Sequence, residues 1–337
     1  MALKVTAAAI VSEYTEAMQL RPYEVAMKAA AVFALRVLVL TLVLIIVFMI
    51  ATNVAGMAQV PLPSAQAAST PTAQAQQAAS LLGPLLAYTL LVSLVTAWTI
   101  QNSRWRGLKL ITALVFTFYG LMTFISQIET IVYLRAKMPP GLIEKLFVMG
   151  AVVAFLFVPL AVLIMRKIRG PEQPHAERAL TLKSQAARFG ILAIVYLVLY
   201  YLFGYYVAWQ NPELRLYYSG TTELKSLYEQ MLSNVTGTPW MLPFQFGRGL
   251  LWALFAYPVV RMLNTGRIET ACIIAALFGV GSFALLLPNP LMPASVAHSH
   301  FWETLWSDLL LGAIVGWVLA ADARPTAPGQ TQAVRSR

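Results

Sequence analysis

Charge is what this chain has least of. Only 11% of its 337 residues are Asp, Glu, Lys or Arg, where soluble domains carry about a quarter. That excludes an ordinary water-soluble globule, and no polar block is long enough to form a separate soluble domain. Cysteine is almost missing: Cys272 stands alone, so no intramolecular disulfide can form. The chain also lacks a GxxxxGK[ST] phosphate loop, a GxSxG nucleophile elbow and an HExxH zinc helix. Its first thirty residues hold Glu13, Glu16, Arg21 and Glu24, with no short apolar core and small-residue cleavage site, so no signal peptide is expected.

What is present is apolar: 59% of the chain is hydrophobic. A membrane-spanning helix needs about 20 predominantly apolar residues. Eight runs qualify, at 29–54, 81–100, 109–130, 143–165, 188–209, 245–263, 268–288 and 303–320. The expected fold class is all-α, a polytopic transmembrane helix bundle. The net charge of +10 does not indicate a nucleic-acid partner, because the basic residues sit in short flanks of the apolar runs. Placing both termini in the cytoplasm puts 18 of the basic residues inside and 6 outside. That is the bias expected for a multi-pass protein of a bacterial inner membrane, with membrane lipids as its surroundings.

The organisation follows. Residues 1–28 read as a cytoplasmic amphipathic segment, with Pro22 opening the helix that enters the first span. Residues 29–322 form one transmembrane domain, and 323–337 a disordered cytoplasmic tail. Outer loops are expected at 55–80, 131–142, 210–244 and 289–302. The first is low in complexity and reads as mobile, whereas Leu224, Leu227, Tyr228, Met231 and Leu232 mark a short surface helix in 210–244, capped by Thr221 or Thr222. Arg36 can snorkel to the inner headgroups. His175, in the basic loop 166–187, reads as solvated. Tyr205, Tyr206 and Trp209 suit an interfacial belt, while Tyr196 and Tyr200 lie deeper and need hydrogen-bond partners.

The chemistry-bearing residues gather toward the outer end. Ionisable side chains within spans are expensive and mark sites, cavities or partner charges. On the last run, His300, Glu303, Thr304, Ser307 and Asp308 share a helical face, and Gly312 and Gly316 continue it. Gln245 and Arg248 lie in the sixth run, with Gln127 and Glu129 at the end of the third. These eight (Gln127, Glu129, Gln245, Arg248, His300, Glu303, Ser307 and Asp308) are the candidate binding residues. Arg248 is expected to pair with a carboxylate, Glu303 or Asp308 being favoured by depth and by the nearby Gly249 and Gly312. The pair would lie below a pocket rimmed by His298, His300 and Trp302. His298, His300 and Glu303 are candidate ligands for a divalent metal.

Phe203-Gly204-Tyr205 with Ala208-Trp209-Gln210, Gln245-x-x-Arg248-Gly249, Pro288-Asn289-Pro290, and His300-x-x-Glu303 followed by Gly312 together resemble a group of bacterial multi-span membrane proteins without an assigned activity. The resemblance covers the second half of the chain. It implies the same helical architecture and names no reaction. Three functions fit this reading: a site for a small solute, ion or lipid headgroup; an outer-leaflet enzyme on a lipid-linked substrate, metal-assisted through His298, His300 and Glu303; or a non-catalytic assembly protein.

Overall fold

A computed structural model describes residues 2–61, 71–172 and 181–320, with side chains of 2–22 and of most of 71–78 left undescribed. Among the described residues the chain is helical and has no strand. Seven helices are long and apolar enough to cross a membrane. They are α1 (Ala2–Val54, apolar from Tyr23), α2 (Pro71–Gln101), α3 (Gly107–Tyr133), α4 (Leu142–Ile164), α5 (Leu182–Tyr206), α9 (Arg267–Leu286) and α10 (Ala294–Leu319). Between α5 and α9 come two short helices, α6 (Pro212–Ser219) and α7 (Leu227–Gly237), then α8 (Met241–Met262). α8 has a spanning length of 22 residues, but Gln245, Arg248 and Arg261 dilute its apolar character.

Several boundaries differ from expectation. α1 runs unbroken through Pro22, which removes one N–H donor without ending the helix. α2 starts at Pro71, ten residues before its apolar run. Ala and Gln between 71 and 80 are good helix formers. Residues 62–70, the segment around His175 and the tail after 320 lie outside the described residues. The cap of α7 is Ser226, not Thr221 or Thr222, and it forms a complete capping box with Glu229. α6 was not anticipated; Asn211 caps it, Pro212 begins it and Gly220 at φ 77° ends it.

The bundle is oily outside as well as within. Leu38, Leu42, Ile46, Phe155, Leu163, Ile194 and Trp306 are exposed, which suits a hydrocarbon solvent and would be costly in water. α1 packs on α2 and α4 through Leu40, Leu44 and Ala51, all fully buried. The most extensively packed pair is α9 with α10. A Cβ on Gly312 would lie 2.7 Å from Ala275 Cα, and one on Gly316 would lie 2.7 Å from Ala271 Cα. Small residues thus face small residues, which lets two backbones approach where no water is excluded to drive them together. Gly249 of α8 does the same against Ala193 of α5.

At one end, basic side chains bond exposed carbonyls near helix ends. Arg104 donates to Arg261 O, Arg188 to Val318 O, and Arg267 to Trp317 O while lying 4.0 Å from the Trp317 ring. The carbonyls at a helix C-terminus have no intrahelical donor, so cations there satisfy both hydrogen bonding and the helix dipole. At the other end, α6 lies on the start of α10 and on the turn between α3 and α4. Asn211 donates to Ser295 O and Ser299 Oγ, Ser295 to Glu213, and Lys137 to Tyr217 O.

Candidate functional site

Arg248 lies two turns into α8, with a side chain only 6% exposed. Its Nη2 bonds Glu129 Oε2 at 2.7 Å, and its Nη1 bonds Gln245 Oε1 at 2.9 Å. An arginine can only donate, so the Gln245 amide must turn its oxygen toward it. That oxygen also accepts from Tyr196 Oη at 3.0 Å, and the amide nitrogen donates to Tyr133 Oη at 3.0 Å. The guanidinium lies over the Tyr196 ring at 5.7 Å. Its Nε is buried with no hydrogen-bond partner among the described residues.

Arg248 therefore pairs with Glu129, not with Glu303 or Asp308. The glycines expected to bring α8 and α10 together point elsewhere: Gly249 seats α5, and Gly312 seats α9. Glu129 is brought round by a π-helical turn at Gly120–Phe124. The turn carries one extra residue, rotating the end of α3 by roughly 100°. Gly120 is needed there, because a Cβ would fall 2.2 Å from the Phe255 ring.

Glu303 instead bonds His300, Oε2 to Nδ1 at 2.7 Å, and His300 Nε2 meets Tyr218 Oη at 2.9 Å. The i, i+3 spacing makes the first contact, as the shared helical face implied. Burial raises the Tyr218 hydroxyl above the ordinary tyrosine range, and Glu129, Tyr217 and Glu303 add to this. Tyr218 thus remains a neutral phenol against the imidazole. Opposite Glu303 stands Gly204, where a Cβ would lie 3.4 Å from Oε1. Tyr218 was not among the sequence candidates; the Asn-Pro start of α6 was the signal that could have placed it.

Asp308 lies between these two clusters in electrostatic terms, its neighbouring charges being Arg248, Glu129 and Glu303. It is half-buried, and among the described residues it has neither a hydrogen-bond nor an ion-pair partner. Ser307 and Thr304 bond carbonyls of their own helix. Gln127 does not join the cluster: its Nε2 bonds Ser126 Oγ, and its buried Oε1 has no hydrogen-bond partner among the described residues.

The metal set does not assemble. His298 and His300 were expected on a loop, but α10 already begins at Ala294. Two residues apart on a helix, they point about 200° from one another, and His298 is exposed while His300 faces Tyr218. Among the described residues, no group of three His, Cys, Asp or Glu side chains has metal-binding geometry. Two cavities lie away from the polar cluster. One is small and apolar, by Thr96, Thr99 and Thr117; the other is a groove of about 410 Å³ by Lys28, Arg36 and Lys167.

No protein-family model, curated protein or solved structure matches the chain.

Proposed function

We propose that this is an eight-span protein of a bacterial inner membrane, both termini cytoplasmic, whose outer end binds a small cationic solute. The length and central burial of α8 support counting it as the eighth span. The bias in basic residues supports the orientation.

Charge balance supports the ligand class. Arg248 is committed to Glu129, and Glu303 to His300, whereas Asp308, in the middle of an apolar helix, has no hydrogen-bond or ion-pair partner among the described residues. That single observation carries the proposal, because an intramembrane carboxylate is ordinarily compensated. Glu129, with a side chain 36% exposed, is the open edge of the cluster. α6 covers the other edge through Tyr218. In this reading the Arg248–Glu129 pair is structural, and Asp308 anchors the ligand.

The test is thermal unfolding of the detergent-purified protein against a panel of ammonium, methylammonium, tetramethylammonium and sodium salts at constant ionic strength. A saturable rise in midpoint with one of the organic cations, abolished by Asp308→Asn, is expected. No saturable rise with any of them, or one that survives Asp308→Asn, overturns the reading.

A further inference from the structure

The other end of the bundle carries a groove that the polar cluster does not explain. It measures about 410 Å³ and is lined by Lys28, Val32, Phe33, Arg36, Gln101, Met165 and Lys167. Lys28, Val32 and Arg36 are four residues apart and so form one stripe of α1. Among the described residues, three cations line this groove and no carboxylate does. Lys28 and Arg36 have no hydrogen-bond or ion-pair partner among the described residues, and the Lys167 ammonium bonds only a carbonyl, Ser103 O at 2.7 Å. Burial, with Arg106 beside it, pushes that ammonium below the usual lysine range, as expected for a cation without a counter-charge.

Two features of the backbone set where these cations stand. α4 closes with Arg166 N–H on Leu163 O and Lys167 N–H on Val162 O, both at 2.9 Å, turning Lys167 back beneath the helix. The turn residue is Arg166 at φ 59°, a conformation normally left to glycine. The apolar part of α1 spans 32 residues, or about 48 Å at about 1.5 Å each. The hydrocarbon core is only about 30 Å thick. The excess at the N-terminal side places Lys28 at headgroup level and Arg36 at the hydrocarbon boundary.

We propose that this groove is a binding site for an anionic phospholipid, with Lys28, Arg36 and Lys167 around its phosphate and an acyl chain along Val32 and Phe33. Charge complementarity and the apolar wall select a lipid over a soluble anion, and the missing carboxylate selects an anionic lipid over a zwitterionic one. Such a lipid would bridge α1 to the α4 turn and supply the absent counter-charge.

The full-length protein in neutral detergent should retain phosphatidylglycerol from mixed micelles in native mass spectrometry, and retain phosphatidylcholine much less. Neutralising each cation should weaken retention by about five-fold. Lys28→Gln/Arg36→Gln removes two of them without breaking an internal bond, and Lys183→Gln, elsewhere at the basic end, should retain the lipid like the parent. Glycerol phosphate and inorganic phosphate should not compete. Equal retention of the two lipids, full retention by the double variant, or competition by glycerol phosphate matching that of the lipid overturns the proposal.

Discussion

Arg248 shows how much depends on one partner. Its guanidinium is nearly enclosed, while Glu129 keeps one edge open. Losing one member of a buried pair strands the other. Arg248→Met should therefore cost about 3 kcal/mol, at the low end for buried pairs because Glu129 is partly solvated. Adding Glu129→Gln should recover part of that loss, and adding Glu303→Gln should recover little. A double-mutant cycle on detergent melting curves measures this, and equal recovery with both would mean the pair is not specific. Asp308→Asn goes the other way. With no ligand present it should leave stability unchanged or raise it, because it removes a carboxyl group with no hydrogen-bond or ion-pair partner among the described residues.

At the level of elements, the α9–α10 contact and the cap of α7 make opposite kinds of prediction. Gly312→Leu would force a side chain into the backbone of Ala275 and should cost about 2 kcal/mol, with a lower melting midpoint. Gly190→Ala on α5 meets nothing within 4 Å. It should stabilise by up to about 1 kcal/mol through the unfolded chain. In α7 the Ser226 hydroxyl and amide hold the Glu229 carboxyl below the ordinary glutamate range. A depressed carboxyl contributes its stabilisation above its unfolded pKa and loses it as pH falls through the lower, folded value. Amide protection factors across 227–231, taken relative to the unstructured rate at each pH, should therefore fall on acidification below the usual glutamate pKa, and Ser226→Ala should flatten that dependence. An unchanged profile in Ser226→Ala would rule out the box as its cause.

For the whole molecule, topology is the accessible test. In a Cys272-free background, cysteines at Thr70 and Lys225 should react with an impermeant maleimide from outside intact cells, and one at Glu172 only after permeabilisation. Outside labelling of Glu172, or protection of Lys225 in intact cells, would reverse the assigned orientation. If α8 did not cross, positions on its two sides would report the same compartment.

The sequence by itself determined the class: low charge, long apolar runs and basic flanks leave no soluble alternative, because they act on the chain one segment at a time. It also put His300 and Glu303 on one helical face, with Gly312 and Gly316 continuing it, since helical spacing is local. Partner choice for Arg248 was not local. Depth in the membrane allowed Glu129, Glu303 and Asp308 alike, and a π-helical turn in α3 with the facing of Gly249 and Gly312 decided among them. The same holds for Tyr218 and for the cationic groove, each assembled from helices distant in sequence. Apolar periodicity says which residues leave water, but only the packed bundle says which polar groups meet once they have left it.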